Sequence, residues 1–136
     1  MHLPITLTIA AAAGLLHVWL AMRCSQVRIR AKISIGDGGN TLMETRMRSH
    51  ANFAENMPIF LILLGLVEFA GGTQRWLWLA AIVFVLARIA HAFGMERPAP
   101  NPLRAGGMLL TLLLIVTLAV YAIILGYGYQ GISLPG

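Results

Sequence analysis

Apolar and polar positions come in long blocks along this chain. Leu3–Met22 is an apolar run with no formal charge, and a polar stretch follows from Arg23 to Ser49. Three further apolar runs, Ala51–Ala70, Trp76–Phe93 and Ala105–Tyr129, complete the pattern. Each is near the roughly 20 residues a bilayer requires of a spanning helix. Glu55 and Glu68 fall near the two ends of the second run, Arg88 and His91 late in the third, and the fourth has no charge. Inside hydrocarbon, backbone N–H and C=O groups have no partners but one another, so these runs predict helices rather than sheet. The expected fold is all-α: an integral membrane four-helix bundle, a single domain over residues 1–136.

The connections carry their own signals. Gly36-Asp-Gly-Gly-Asn40 reads as a turn, where glycines accept positive φ. It has no preceding strand and no Gly-Lys-Ser/Thr, so it is not a phosphate-binding loop. Thr41 and Glu44 have capping-box spacing, which places the start of the second helix ahead of its apolar run. Pro58 lies inside that helix and predicts a kink. The connection Gly71-Gly-Thr-Gln-Arg75 is short, so the second and third helices are expected to be antiparallel neighbours. Pro98, Pro100 and Pro102 form a stiff strap leading to Arg104. Trp76, Trp78, Tyr127 and Tyr129 are expected anchors at the bilayer interface.

Composition agrees with membrane spans. The chain of 136 residues is 58% hydrophobic and 11% charged, whereas a soluble domain is nearer about a quarter charged. The formal net charge of +5 suits either nucleic acid or membrane topology, and its distribution favours topology. Arg23, Arg28, Arg30, Lys32, Arg46 and Arg48 surround the first connection, and Arg97 and Arg104 belong to the third. The second has only Arg75. The positive-inside rule then puts both termini outside the cytoplasm. No aromatic interleaving of the basic residues suggests a nucleic-acid partner. The first run does not read as a cleaved leader, because its positive charge follows the apolar stretch rather than preceding it. Cys24 is the only cysteine, which excludes an internal disulfide.

Candidate chemistry concentrates at the start of the second apolar run, in Arg48-Ser-His-Ala-Asn-Phe-Ala-Glu55-Asn-Met-Pro. Arg48, Asn52 and Glu55 are spaced i, i+4, i+7 and share one helix face. The stripe is roughly 10 Å long at 1.5 Å per residue, about the extended length of a tripeptide. A cation, an amide and a carboxylate at the mouth of an apolar helix suit a small zwitterion, whereas the plainer reading makes them interfacial residues with Asn52 as helix–helix glue. Ionisable groups within a membrane bundle rarely face lipid and usually serve function. Arg88 and His91, at i, i+3, share a face on the third helix; a snorkelling arginine and a packing histidine compete with a functional pair. His17 reads as a buried hydrogen-bonding residue inside its span. His50, His91 and Glu55 lack close metal-ligand spacing, so no metal is expected. Arg104 is either a topological charge or a fixed donor able to hold an anion at the membrane surface.

These motifs, in this order, resemble the MAPEG family, membrane-associated proteins in eicosanoid and glutathione metabolism. The second-helix pattern Arg48-x-His50-x-Asn52-x-x-Glu55-x-x-Pro58 resembles the family signature. Gln26-Val27-Arg28, Arg88-Ile-Ala-His91 and the spacing from Arg88 to Arg104 are similar to the branch of microsomal glutathione S-transferases and prostaglandin E synthase. The resemblance implies a homotrimer with glutathione between neighbouring subunits. It implies glutathione-binding roles for Arg28, Arg48, His50, Asn52, Glu55, Arg88 and His91, and a catalytic role for Arg104, which would stabilise the thiolate. Met95 stands where the family usually has a tyrosine that contacts glutathione, and Ala105 where prostaglandin E synthase has a serine.

The implied activity is conjugation of glutathione to lipophilic electrophiles that reach the site through membrane lipid, with peroxidase activity open. The localisation expected is a multi-pass protein of a bacterial inner membrane. Chemically, forked arginines suit carboxylates and Glu55 suits an ammonium. A free cysteine thiol has a pKa of about 8.5; lowering it by about two units corresponds to roughly 3 kcal/mol of preferential anion stabilisation. The alternative is a non-catalytic lipid-binding scaffold of the same architecture. A small four-helix drug exporter fits less well, since Leu3–Met22 has no carboxylate.

Overall fold

The computed structural model describes residues 2–130, and the Tyr129 side chain lies outside that description. Four helices follow in chain order: α1 (Pro4–Ala31), α2 (Thr41–Gly71), α3 (Arg75–Met95) and α4 (Pro102–Gln130). No strand occurs among the described residues, and all four helices are long and apolar enough to cross a membrane.

The helices outrun the apolar blocks. α1 continues past Met22 to Ala31, so the first connection is only 32–40 rather than Arg23 to Ser49. Hydropathy marks where the bilayer ends, not where the helix does. Arginine and glutamine are good helix formers, and Arg28 and Arg30 in the last turn complement the helix dipole. Lys32 closes α1 in the left-handed region, φ 54°, donating its N–H to the Arg28 carbonyl. The expected capping box at Thr41 is replaced by Asn40, whose side chain accepts from the Met43 N–H at 3.0 Å. Asparagine in an extended conformation serves this purpose as well as threonine. α2 is continuous through Pro58.

α1 packs on α2 and α3, and α4 packs on α3 and α2; α1 and α4 do not touch among the described residues. Three buried clusters succeed one another along the bundle. The first gathers Ile5, Ile9, Phe60, Leu64, Val67, Leu77, Ala81, Phe84 and Leu118, with Phe60 stacked on Phe84 at 3.8 Å. The second holds Ala13, Leu16, Leu20, Phe53 and Ala92, and the third Cys24, Val27 and Met43.

Polar ties close both ends. Leu3 offers α1 no side-chain cap and Pro4 occupies its first turn; the cap comes from α2. The Glu68 carboxylate, 2% exposed, accepts from the Ile5 N–H at 3.0 Å, the Thr6 N–H at 2.8 Å, the Thr6 hydroxyl at 2.7 Å and the Thr73 hydroxyl at 3.2 Å. It thereby satisfies donors that a helix start otherwise leaves orphaned. At the other end, one oxygen of Glu96 takes both Arg23 Nη2 and Arg46 Nε at 2.6 Å. Arg46 also donates to the Arg23 carbonyl at 2.7 Å. The Arg23 guanidinium lies 4.5 Å from the Trp19 ring centre and 5.0 Å from that of Phe93.

Candidate functional site

The start of α4 is fixed before any ligand is considered. Asn101 caps it, with its side-chain oxygen accepting from the N–H of Leu103 at 3.0 Å and of Arg104 at 3.3 Å. Its carbonyl accepts from Ala105 at 3.0 Å. The helix therefore begins at Pro102, and Arg104 belongs to its first turn. Pro102 at the first helical position loses no bond, since that N–H has no intrahelical acceptor.

Two glycines then let α3 and α4 meet backbone to backbone. A Cβ at Gly94 would collide with Arg104 N and come within 2.8 Å of Arg104 Cα and Leu103 C. One at Gly107 would lie 2.8 Å from His91 Cβ and 2.9 Å from His91 N. His91 completes the junction with a 3.0 Å hydrogen bond between its Nδ1 and the Arg104 carbonyl. Because a carbonyl only accepts, Nδ1 carries the proton in this bond.

Against this junction α2 leaves an open cleft of about 700 Å³. Arg48, Asn52 and Glu55 line it from α2, His91 and Met95 from α3, and Arg104, Ala105 and Met108 from α4; Ala99, Pro100 and Asn101 close it from the connection. Arg48, Glu55 and Arg104 are exposed, Asn52 is half-buried, and His91 is buried. The three exposed charged side chains form no ion pair among the described residues. The cleft thus combines two guanidinium groups, a carboxylate and an amide with an apolar wall of Met95, Met108 and Ala105. It suits a ligand bearing both anionic and cationic groups next to an apolar reactant.

Of the residues singled out in the sequence, the fold brings Arg48, Asn52, Glu55, His91 and Arg104 together around this cleft. Arg88 is not part of the lining. It is 2% exposed and reaches Asn52 Oδ1 at 2.6 Å and Thr111 Oγ1 at 3.3 Å. His50 turns instead to α1, where its Nε2 lies 3.3 Å from His17 Nδ1; His17 is the hydrogen-bonding residue its position in the span suggested, but half-buried rather than buried. Arg28 donates to the carbonyls of Ser34 and Gly36 at 3.3 and 3.2 Å, and so braces the turn after α1 rather than lining the cleft. Sequence reasoning did not single out Asn101, Thr111 or Met108. Asn101 had a readable signal, a capping residue directly before a proline; the other two are ordinary residues of an apolar helix. No group of three or more metal-ligating side chains occurs among the described residues.

Comparison of the sequence with known proteins identifies the family to which this four-helix chain belongs. The profile of the MAPEG family matches residues 6–124. The chain belongs to the MAPEG family. It is also similar to the inner membrane protein YecN of Escherichia coli K12, 27% identical over 92 residues, which are 65% of this chain and 70% of that protein. YecN of the O6:H1 strain CFT073 matches to the same extent. The matched MAPEG region takes in the entire cleft, from Arg48 through Met108.

Proposed function

We propose that this MAPEG protein is a membrane-bound glutathione transferase that joins the glutathione thiolate to lipophilic electrophiles. The observation that carries the reading is the cleft itself: Arg48, Asn52 and Glu55 from α2 and Arg104 from α4, with Met95 and Met108 in the same lining. Glutathione has two carboxylates, one ammonium and one thiol. Arginines hold carboxylates by forked hydrogen bonds, Glu55 takes the ammonium, and Arg104 stabilises the sulfur anion. The electrophile arrives through lipid and meets the thiolate beside Met108 and Ala105. No serine stands beside Arg104, which favours conjugation or hydroperoxide reduction over prostaglandin isomerisation.

The working unit in this reading is a homotrimer in an inner membrane, the location that the name of the related YecN gives for that protein. The cleft is open and its charged residues are exposed in the single chain, so a neighbouring subunit supplies the remaining wall, and Arg28 contributes from that neighbour. Titration of glutathione into the purified protein, followed by calorimetry and by ultraviolet absorbance of the thiolate, tests the reading. Saturable binding with thiolate formation is expected, and Glu55→Gln should weaken binding by about 2 kcal/mol, the cost of leaving a buried ammonium unpaired. Absence of binding by the wild-type protein would favour a lipid-binding scaffold instead.

A further inference from the structure

Arg88 has the largest of the fully buried side chains, at 2% exposed. A guanidinium has only donors, so the atom of Asn52 that faces it at 2.6 Å is necessarily the oxygen. The amide is planar, with its nitrogen opposite its oxygen across Cγ. With the oxygen committed to Arg88, the amino group is what the side chain has left to offer a ligand, and Asn52 lines the cleft. Thr111 accepts from Arg88 at 3.3 Å and is itself tied to the Gly107 carbonyl at 2.8 Å, which fixes the guanidinium from the α4 side.

We propose that Arg88 is a positioning residue: it acts through Asn52, locking the amide with its donor outward, so that the ligand group opposite Asn52 is a carboxylate or a peptide carbonyl. This rests on the transferase reading and orders the ligand along α2. An acceptor of glutathione sits at Asn52, and its ammonium sits one turn further on at Glu55. Arg88 pairs with no carboxylate among the described residues, so its charge is free to polarise the amide and strengthen the outward N–H groups. A purely structural arginine would hold α2, α3 and α4 together without giving the ligand a direction.

The test is a double-mutant cycle on the full chain in lipid nanodiscs, with glutathione titrated by calorimetry and turnover measured at saturation. Asn52→Ala should raise Kd about tenfold or more, the loss of a hydrogen bond to a charged acceptor. Arg88→Lys keeps the charge but not the planar fork and should raise Kd while leaving kcat nearly unchanged. The double variant should bind no more weakly than Asn52→Ala alone, because Arg88 reaches the ligand only through that amide. Asn52→Asp keeps an oxygen for Arg88 and removes the donor; it should retain the wild-type thermal midpoint and lose affinity at least as severely as alanine. Multiplied losses in the double variant, or wild-type affinity in Asn52→Asp, would overturn the positioning role while leaving the transferase reading intact. Failure of the wild type to bind glutathione would overturn both.

Discussion

Arg104 is exposed at its guanidinium and held at its backbone. Its N–H goes to Asn101, its carbonyl to His91, and its Cα lies against Gly94. A helix start ordinarily offers free N–H groups to an anion. In the fold those of Leu103, Arg104 and Ala105 are taken by Asn101, so direct donation to a bound anion falls to the guanidinium. Arg104→Ala is therefore expected to keep glutathione affinity within a few-fold and to lose about a hundredfold in turnover, as for one preorganised donor to a reacting anion. Arg104→Lys should recover part of that loss, since charge survives without the fork. Thiolate absorbance and conjugation of a generic aryl halide, compared across the three proteins, measure this. Lost affinity without a specific loss of turnover would make Arg104 a carboxylate clamp. The face shared by Arg48, Asn52 and Glu55 was readable because helical spacing alone determines it. The depth of Arg88 was not, since spacing gives direction around an axis and says nothing of what lies in front of a side chain.

At the level of elements, the junction of α3 with α4 depends on two missing side chains. Gly94→Ala would push a methyl into the Arg104 backbone, which is not a flexible tip that swings aside. Overpacking of this kind costs about 1–3 kcal/mol, and here the strain falls on the turn that presents Arg104. The expected outcome is a lowered thermal midpoint together with a loss of turnover, measured on the same detergent-solubilised sample. Gly106→Ala is the matched control, because a Cβ there meets nothing within 4 Å. An equal effect of both substitutions would show that helix propensity, not the close approach, was responsible. The four elements were legible from apolar blocks, but their ends were not. α1 and α2 extend into polar sequence, and the residues that stop and start them, Lys32 and Asn40, act through backbone conformation and a single cap. The Arg23–Glu96–Arg46 tie was equally hidden, because it joins residues of α1 and α2 to the residue that caps the end of α3.

For the whole molecule, the open side of the cleft is the decisive feature. Arg48, Glu55 and Arg104 are exposed in one chain, and charged groups at membrane depth usually face protein or water rather than lipid. Native mass spectrometry from detergent is expected to give a trimer. Cysteine pairs introduced on the outer faces of α2 and α4 should cross-link between subunits. A monomer by the first measurement, with full glutathione affinity, would mean that one bundle completes its own site. The regions tied by carboxylates are α1 to α2 at Glu68, and α1, α2 and the end of α3 at Glu96; α4 is attached by small-residue contact and the Arg88–Thr111, His91–Arg104 and Gln74–Tyr121 bonds.

The three anchors on Arg104 grip main-chain atoms, and main-chain atoms are the same whatever side chain they carry. The fold therefore specifies a location for the side chain at this position without specifying the side chain. A lineage built on this scaffold can exchange one functional group for another at that spot in a single mutational step, keeping the surrounding architecture. Diversification of chemistry and preservation of the bundle are, for this position, separable problems.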